Sequence, residues 1–172
     1  MKYYPDVAMQ HSPTAQQRDQ AMIKNPQTME ILLLEDEMAD AYLIKIALKE
    51  NNILARLHHV LDGREGLGFL QNKGSYSNMP RPDLILLDLN MPRMNGYEFL
   101  TAIKSDDRFK GIPVVVFSTS DVESDVITSY QLGAASYVTK PVGVEQFIAT
   151  INDISDYWMT VVRLPRRYQY EC

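Results

Sequence analysis

Leu84-Ile85-Leu86-Leu87-Asp88-Leu89-Asn90-Met91-Pro92 is the stretch on which the fold turns. Four large aliphatic residues follow one another with no polar residue between them, so the segment offers no face to water. A strand of that kind belongs inside a sheet covered on both sides, which is the habit of parallel sheets. The run stops at a carboxylate, Asp88, and Met91-Pro92 and Asn95-Gly96 then mark turns.

The same grammar recurs along the chain. Ile31-Leu32-Leu33-Leu34 stops at Glu35-Asp36-Glu37, Ile112 to Phe117 stops at Ser118-Thr119-Ser120, and Ala135 to Val138 ends near Lys140-Pro141. Ile53 to Leu61 reads as a further strand of mixed character. Helical spacing fills the intervals. Asp40 to Asn51 places Leu43, Ile44, Ala47 and Leu48 on one face, and Arg64 to Gln71 follows the Asp62-Gly63 turn. Tyr97 to Lys104 is helical. Asp121 is the expected N-cap of a helix reaching about Leu132, with Gly133 as its stop. Val144 to Met159 carries Phe147, Ile148, Ile151, Ile154 and Tyr157 or Trp158 on its apolar side. Asn72 to Pro82, with its Gly, Ser, Asn and Pro residues, is a loop. Five strands alternating with five helices over residues 29–159 predict an α/β fold with a doubly wound, five-stranded parallel sheet.

The remaining sequence sets limits. The chain has 172 residues, 45% of them hydrophobic, and a formal net charge of -5, which disfavours nucleic acid as a partner held by bulk attraction. Residues 1–28 are polar and read as a mostly disordered N-terminal arm with no signal-peptide core, and residues 160–172 read as a C-terminal tail. No apolar run is long enough to span a membrane. Cys172 is the sole cysteine, so an internal disulfide is excluded and a cytoplasmic location is the expectation. His11, His58 and His59 have no metal-ligand spacing. Arg163, Arg166 and Arg167 make a small basic tail that suits a solvated or interface role.

In an open parallel sheet, ligands sit at the carboxyl ends of the strands. Here those ends carry Glu35 and Asp36, then Asp88, Ser118 and Lys140. Carboxylates ~4 Å apart repel by about 4 kcal/mol at an effective dielectric near 20, so three of them want a cation. All-oxygen donors suit Mg²⁺, and with Lys140 the formal charge then sums to zero. A carboxylate so neutralised is a nucleophile fit for a phosphoryl group, and a hydroxyl and an ammonium are the groups that hold phosphoryl oxygens. Taken singly, each residue has an ordinary reading: the acidic triplet as a helix cap, Asp88 as a turn residue, Lys140 as a surface lysine, Tyr137 as packing. The set carries the argument.

That set resembles the receiver domain of two-component response regulators. The resemblance lies in Ile31 to Glu37, in Leu86-Leu87-Asp88-Leu89-Asn90-Met91-Pro92-Arg93-Met94-Asn95-Gly96, in Val114 to Ser120 and in Tyr137-Val138-Thr139-Lys140-Pro141. It implies a flavodoxin-like (βα)5 receiver with strand order 2-1-3-4-5. It implies that Asp88 is the phosphoacceptor, served by a sensor histidine kinase. Asp36 and Asp88 would hold Mg²⁺, Glu35 would act mainly through water, and the Asn90 backbone carbonyl would complete the metal site. Ser118 and Lys140 would contact the phosphoryl group, and Ser118 and Tyr137 would form the switch. Lys140-Pro141 would be a cis peptide. The response surface would be the fourth helix, fifth strand and fifth helix. Thr119 stands where a smaller residue is usual, and a β-branched side chain there would crowd the phosphoryl group and slow its hydrolysis. The Asn78-Met79-Pro80-Arg81-Pro82-Asp83 loop and the Tyr157-to-Pro165 ending look like those of small receivers paired with cyanobacterial phytochromes. Those are stand-alone proteins that tend to form homodimers, which makes the tail a candidate dimer contact.

Two other readings stay open at this point. One is a receiver-like scaffold that works without phosphorylation. The other is an aspartate-based, Mg²⁺-dependent phosphatase, which would want a second acid where this chain has Asn90.

Overall fold

The computed structural model describes residues 28–50 and 53–164. Its elements, in chain order, are β1 (Met29–Leu34), α1 (Met38–Glu50), β2 (Ala55–Val60), α2 (Gly63–Leu70), β3 (Leu84–Leu87), α3 (Gly96–Lys104), β4 (Val114–Ser118), α4 (Glu123–Gln131), β5 (Ser136–Thr139) and α5 (Val144–Asp156). The five strands form one sheet in the order β2-β1-β3-β4-β5, and every neighbouring pair is parallel. The expected doubly wound topology is therefore present.

Why the central strands read as unbroken apolar runs is visible in the packing. Leu32 and Leu34 of β1, Ile85 and Leu87 of β3, and Val114 and Val116 of β4 face one core, which Phe69, Phe99, Leu100 and Ile103 close from α2 and α3. Ile31, Leu33, Leu84, Leu86, Val115 and Phe117 face the other, closed by Ile44, Ala47 and Leu48 of α1 and Phe147 and Ile151 of α5. Each such side chain contributes about 1.5–3 kcal/mol when fully buried, so both alternate faces of β1, β3 and β4 are held by substantial burial. The edge strands differ. In β2 only Val60 is fully buried, and no residue of β5 is.

Gly96 marks the tightest approach. A Cβ there would lie 2.4 Å from the Asp88 carbonyl oxygen and 2.7 Å from the Leu89 Cα, so α3 reaches the end of β3 only with glycine at this point. Asn95 caps the helix, exchanging hydrogen bonds with Glu98 in a capping box.

Three expectations need correction. Asp121 is not the cap of α4: Val122 holds that position without a side-chain cap bond, because the preceding loop is pinned instead by the Ser120 hydroxyl on Asp125. The last helix does not run unbroken to Met159. It ends at Asp156 and loosens into a π turn over Tyr157–Val161, closed by the Val162 amide on the Tyr157 carbonyl. Among the described residues no peptide bond is cis, so Lys140-Pro141 is trans. Trans is the ordinary preference even for a bond to proline, and in this form the Lys140 amide reaches the Ser118 carbonyl at 2.7 Å.

Within the part of the tail that is described, Trp158, Met159 and Leu164 pack against the core beneath α1 and α5, whereas Tyr157 and Val161 are exposed. The N-terminal arm up to residue 27, with His11, lies outside the described residues, as do Arg166, Arg167 and Cys172. No helix among the described residues is long and apolar enough to cross a membrane.

Candidate functional site

β1 and β3 are neighbours in the same direction, with Leu34 beside Leu87, so their ends deliver Glu35 and Asp88 to one place. The Asp88 amide donates to the Leu34 carbonyl at 3.0 Å, which ties the two strand ends together. Asp36 follows Glu35 on the exposed side. One oxygen from each of Glu35, Asp36 and Asp88 lies within 4.8 Å of the other two. The edge strand β2 braces the group from behind: the Glu35 amide donates to the Val60 carbonyl at 3.0 Å, and the His59 ring nitrogen meets the Glu35 carbonyl at 2.7 Å.

Lys140 enters from the end of β5. Its Nζ is buried and lies 2.6 Å from Glu35 Oε2, 2.9 Å from Asp40 Oδ2 and 3.8 Å from Asp88 Oδ1. Asp40, on the first turn of α1, was not read as a site residue from the sequence. Its presence changes the charge count, because the cluster then holds four carboxylates and one ammonium, three of the four (Glu35, Asp40 and Asp88) lying within 4 Å of Lys140 Nζ.

Burial sets the electrostatics. It raises the Glu35 carboxyl to about 7, although hydrogen bonding and charge from Lys140 pull it down. Burial likewise raises Asp88, opposed by Lys140 and by hydrogen bonds from the Asn90 and Leu89 amides. Lys140 itself is pushed down by burial, yet Glu35, then Asp40 and Asp88, outweigh this and hold it above an ordinary lysine. One Asp88 oxygen, Oδ1, is buried with no hydrogen-bond partner. A buried carboxylate oxygen without a partner is costly, and it is the kind of atom a hard cation would take up. Three converging carboxylates, one of which carries an orphaned oxygen, therefore fit a divalent cation.

Ser118 is fully buried at the end of β4, paired in register with Thr139. Tyr137 lies on β5, and its hydroxyl donates to the Ser120 carbonyl at 2.9 Å, with Ser118 also among the groups acting on that hydroxyl. Asn90 is exposed beside Asp88, and its amide already serves the Asp88 carboxylate. The structure thus brings Glu35, Asp36, Asp88 and Lys140 into one cluster, and it links the Ser118 strand end to Lys140 by backbone hydrogen bonding.

A parallel five-stranded sheet of order 2-1-3-4-5 with acids, a serine and a lysine at its carboxyl edge defines a receiver, and residues 31–152 match the response regulator receiver domain family. The chain belongs to that family, whose members accept phosphoryl groups from sensor histidine kinases. It is 44% identical over 135 residues to response regulator Rcp1 of Synechocystis sp., a match covering 78% of this chain and 92% of that protein. Among solved structures it is similar to the phosphorylated cyanobacterial phytochrome response regulator RcpA, with a TM-score of 0.78 and 41% identity over 81% of this chain and all of the other. It is also similar to the Mn²⁺-bound form of Rcp1, with a TM-score of 0.77 and 43% identity over 80% of this chain and 99% of that one. The chain is thus related to phytochrome response regulators.

Proposed function

We propose that this receiver takes a phosphoryl group on Asp88 from a sensor histidine kinase of the phytochrome class, with Mg²⁺ as its ion, and signals by protein contact. The observation that carries the reading is the buried, unpartnered Asp88 Oδ1, set 3.8 Å from an ammonium and within a cluster of carboxylates. The phytochrome pairing draws on the relatives, among them RcpA and Rcp1.

In the transfer, an Asp88 carboxylate oxygen bonds to phosphorus as the phosphorus–nitrogen bond of a phosphohistidine breaks. The imidazole leaves with the bonding pair and regains a proton from water. Asp36 and Asp88 would hold Mg²⁺ directly, with Glu35 acting through water and the Asn90 carbonyl completing the set. The ion supplies positive charge for the phosphoryl oxygens and lets the acids stay ionised. Lys140 is poised to exchange part of its hold on Glu35 and Asp40 for a phosphoryl oxygen, since Asp88 is already its third neighbour. The Ser118 hydroxyl donates to a second phosphoryl oxygen. Tyr137 would follow Ser118, and the change would reach a partner through α4, β5 and α5. That face exposes Val122, Ile127 and Tyr130, and Tyr157 and Val161 extend it beyond α5, which suits a homodimer contact. The chain acts on its own aspartate and has no separate substrate.

Acetyl phosphate with Mg²⁺ tests this reading. The expected result is one phosphoryl group per chain, lost on hydroxylamine treatment and absent in Asp88→Asn. Incorporation that persists in Asp88→Asn overturns it, and steady turnover of assorted phosphate esters replaces it with the phosphatase reading.

A further inference from the structure

Asp62 is buried to 0% exposure at the end of β2, outside the acidic cluster, and both of its carboxylate oxygens are engaged. Oδ1 accepts the Glu65 amide at 2.9 Å, which caps α2. Oδ2 accepts the Arg93 guanidinium, from the loop that follows Asp88. A helix cap needs only the first of these contacts. The second reaches across 31 positions of sequence to a loop residue whose backbone is left-handed, at φ 64°. Side chains other than glycine rarely adopt that conformation, so something must hold it.

The loop is held at both ends. At its near end the Gly96 amide donates to the Leu89 carbonyl at 3.0 Å. At its far end the Gly63 amide donates to the Met94 carbonyl at 3.0 Å, and a Cβ on Gly63 would lie 2.7 Å from Met94 Cγ. Between these ends lie Leu89 and Asn90, whose backbone amides favour the ionised form of the neighbouring Asp88 carboxyl. The path from Asp62 to the reactive carboxylate is therefore short: guanidinium, loop backbone, two amides, carboxylate.

We propose that the Asp62–Arg93 ion pair is a positioning clamp, which seats the β3–α3 loop so that its amides aim the Asp88 carboxylate and set the affinity of the site for a divalent cation. This rests on the metal-dependent receiver reading given above. Neither residue would touch the cation or the phosphoryl group. Their effect passes through the loop, as outer partners of metal ligands commonly act.

Two variants separate the clamp from the helix cap. Asp62→Ser keeps a cap for the Glu65 amide but loses the ion pair, and Arg93→Met loses the ion pair but keeps the cap. Each is expected to weaken Mg²⁺ binding about tenfold, measured by calorimetric titration of the full chain. The double variant is expected to be no weaker than Arg93→Met, because that change already removes the Asp62 contact together with the longer one from Arg93 Nη2 to Glu65 Oε1 at 3.8 Å. Arg93→Lys should retain part of the affinity. Ile151→Val, which loosens a core under α5, serves as the control: it should lower the urea midpoint and leave Mg²⁺ affinity unchanged. Wild-type affinity in both Asp62→Ser and Arg93→Met overturns the clamp. If the wild-type chain itself bound no Mg²⁺, the receiver reading would fail separately. Amide exchange at Leu89 and Asn90 would then decide the clamp: faster exchange in both variants supports it, and unchanged exchange overturns it.

Discussion

The acidic half of the site and its responsive half are built on different materials. Glu35 and Asp88 extend strands in which every residue is buried, β1 and β3. Tyr137 sits on β5, where no residue is fully buried, and Ser120 leads into α4, whose single fully buried residue is Ser129. Chemistry that needs oxygens fixed to within a fraction of an ångström gains from the first setting. A surface that must change shape gains from the second, since segments with little buried apolar area open at low free energy. Ser118 joins the two, lying at the end of the fully buried β4 but beside the thin edge of the sheet.

The largest expected effect comes from breaking the rigid half. Gly96→Ala forces a Cβ to 2.4 Å from the Asp88 carbonyl, and backbone rather than a flexible side chain must yield. We expect a loss of about 3 kcal/mol of stability, at the upper end of the usual overpacking range, read from urea unfolding. Phosphorylation on Asp88 should fall with it even where the variant remains folded. A variant as stable as the parent would show that the β3–α3 junction is softer than its contacts imply.

Next in size is the dependence of the metal-free protein on pH. Glu35 has its carboxyl raised to about 7 by burial, from 4.5, and Asp88 is raised as well. A group whose folded pKa exceeds its unfolded one favours the fold when protonated. That stability is present below about pH 4.5 and is lost as pH rises through 7. In chelator, the unfolding free energy should therefore fall by roughly 2–3 kcal/mol between pH 5 and pH 8 from this source. Saturating Mg²⁺ should restore it at pH 8, because the ion binds the deprotonated acids. Equal urea midpoints at the two pH values in chelator would remove the case for strained carboxylates.

The sequence made the rigid half legible and the responsive half much less so. β1, β3 and β4 declare themselves because burial on both faces demands unbroken aliphatic runs, and the polar residues that stop those runs fall on one edge by topology alone. α4 contains few apolar residues, so only Asp121 marks its start in the sequence, and Asp121 plays no capping part. Asp40 is hidden in the sequence for another reason. An acid on the first turn of a helix has an ordinary local purpose, and the lysine it meets lies 100 positions away. Asp62 looked like a turn residue before Gly63, and nothing local announces that its second oxygen holds Arg93. The π turn after Asp156 likewise has no local marker, since Tyr157 to Val161 continue an apolar pattern that a plain helix would also satisfy.

A milder perturbation addresses the responsive half alone. Tyr137→Phe removes the hydroxyl that donates to the Ser120 carbonyl and leaves the ring in place. The bond is part-buried, so the expected loss of stability is about 1 kcal/mol. Its local consequence should be larger than its global one, because Ser120 also pins α4 through Asp125. Amide exchange in residues 119–125 should quicken while β1 and β3 stay protected. Quickening spread evenly over the sheet would mean that the two halves unfold together, and the division drawn above would not hold.

The smallest effect concerns Thr119, between the buried Ser118 and the pinned Ser120. Thr119 is exposed, so its branched side chain stands on the solvent side of the β4 end rather than in the core. Truncation there removes little burial, and stability should move by no more than about 0.5 kcal/mol. The receiver resemblance places Thr119 beside the phosphoryl group that Asp88 would carry, where a β-branched residue would crowd the approach of water. Thr119→Ala should therefore speed loss of the phosphoryl group a few-fold, roughly 1 kcal/mol or less in barrier height, followed by decay after removal of acetyl phosphate. An unchanged decay rate would assign the lifetime to the rigid half of the site, where Lys140 and its carboxylate partners hold the charge, and would leave Thr119 without a kinetic part.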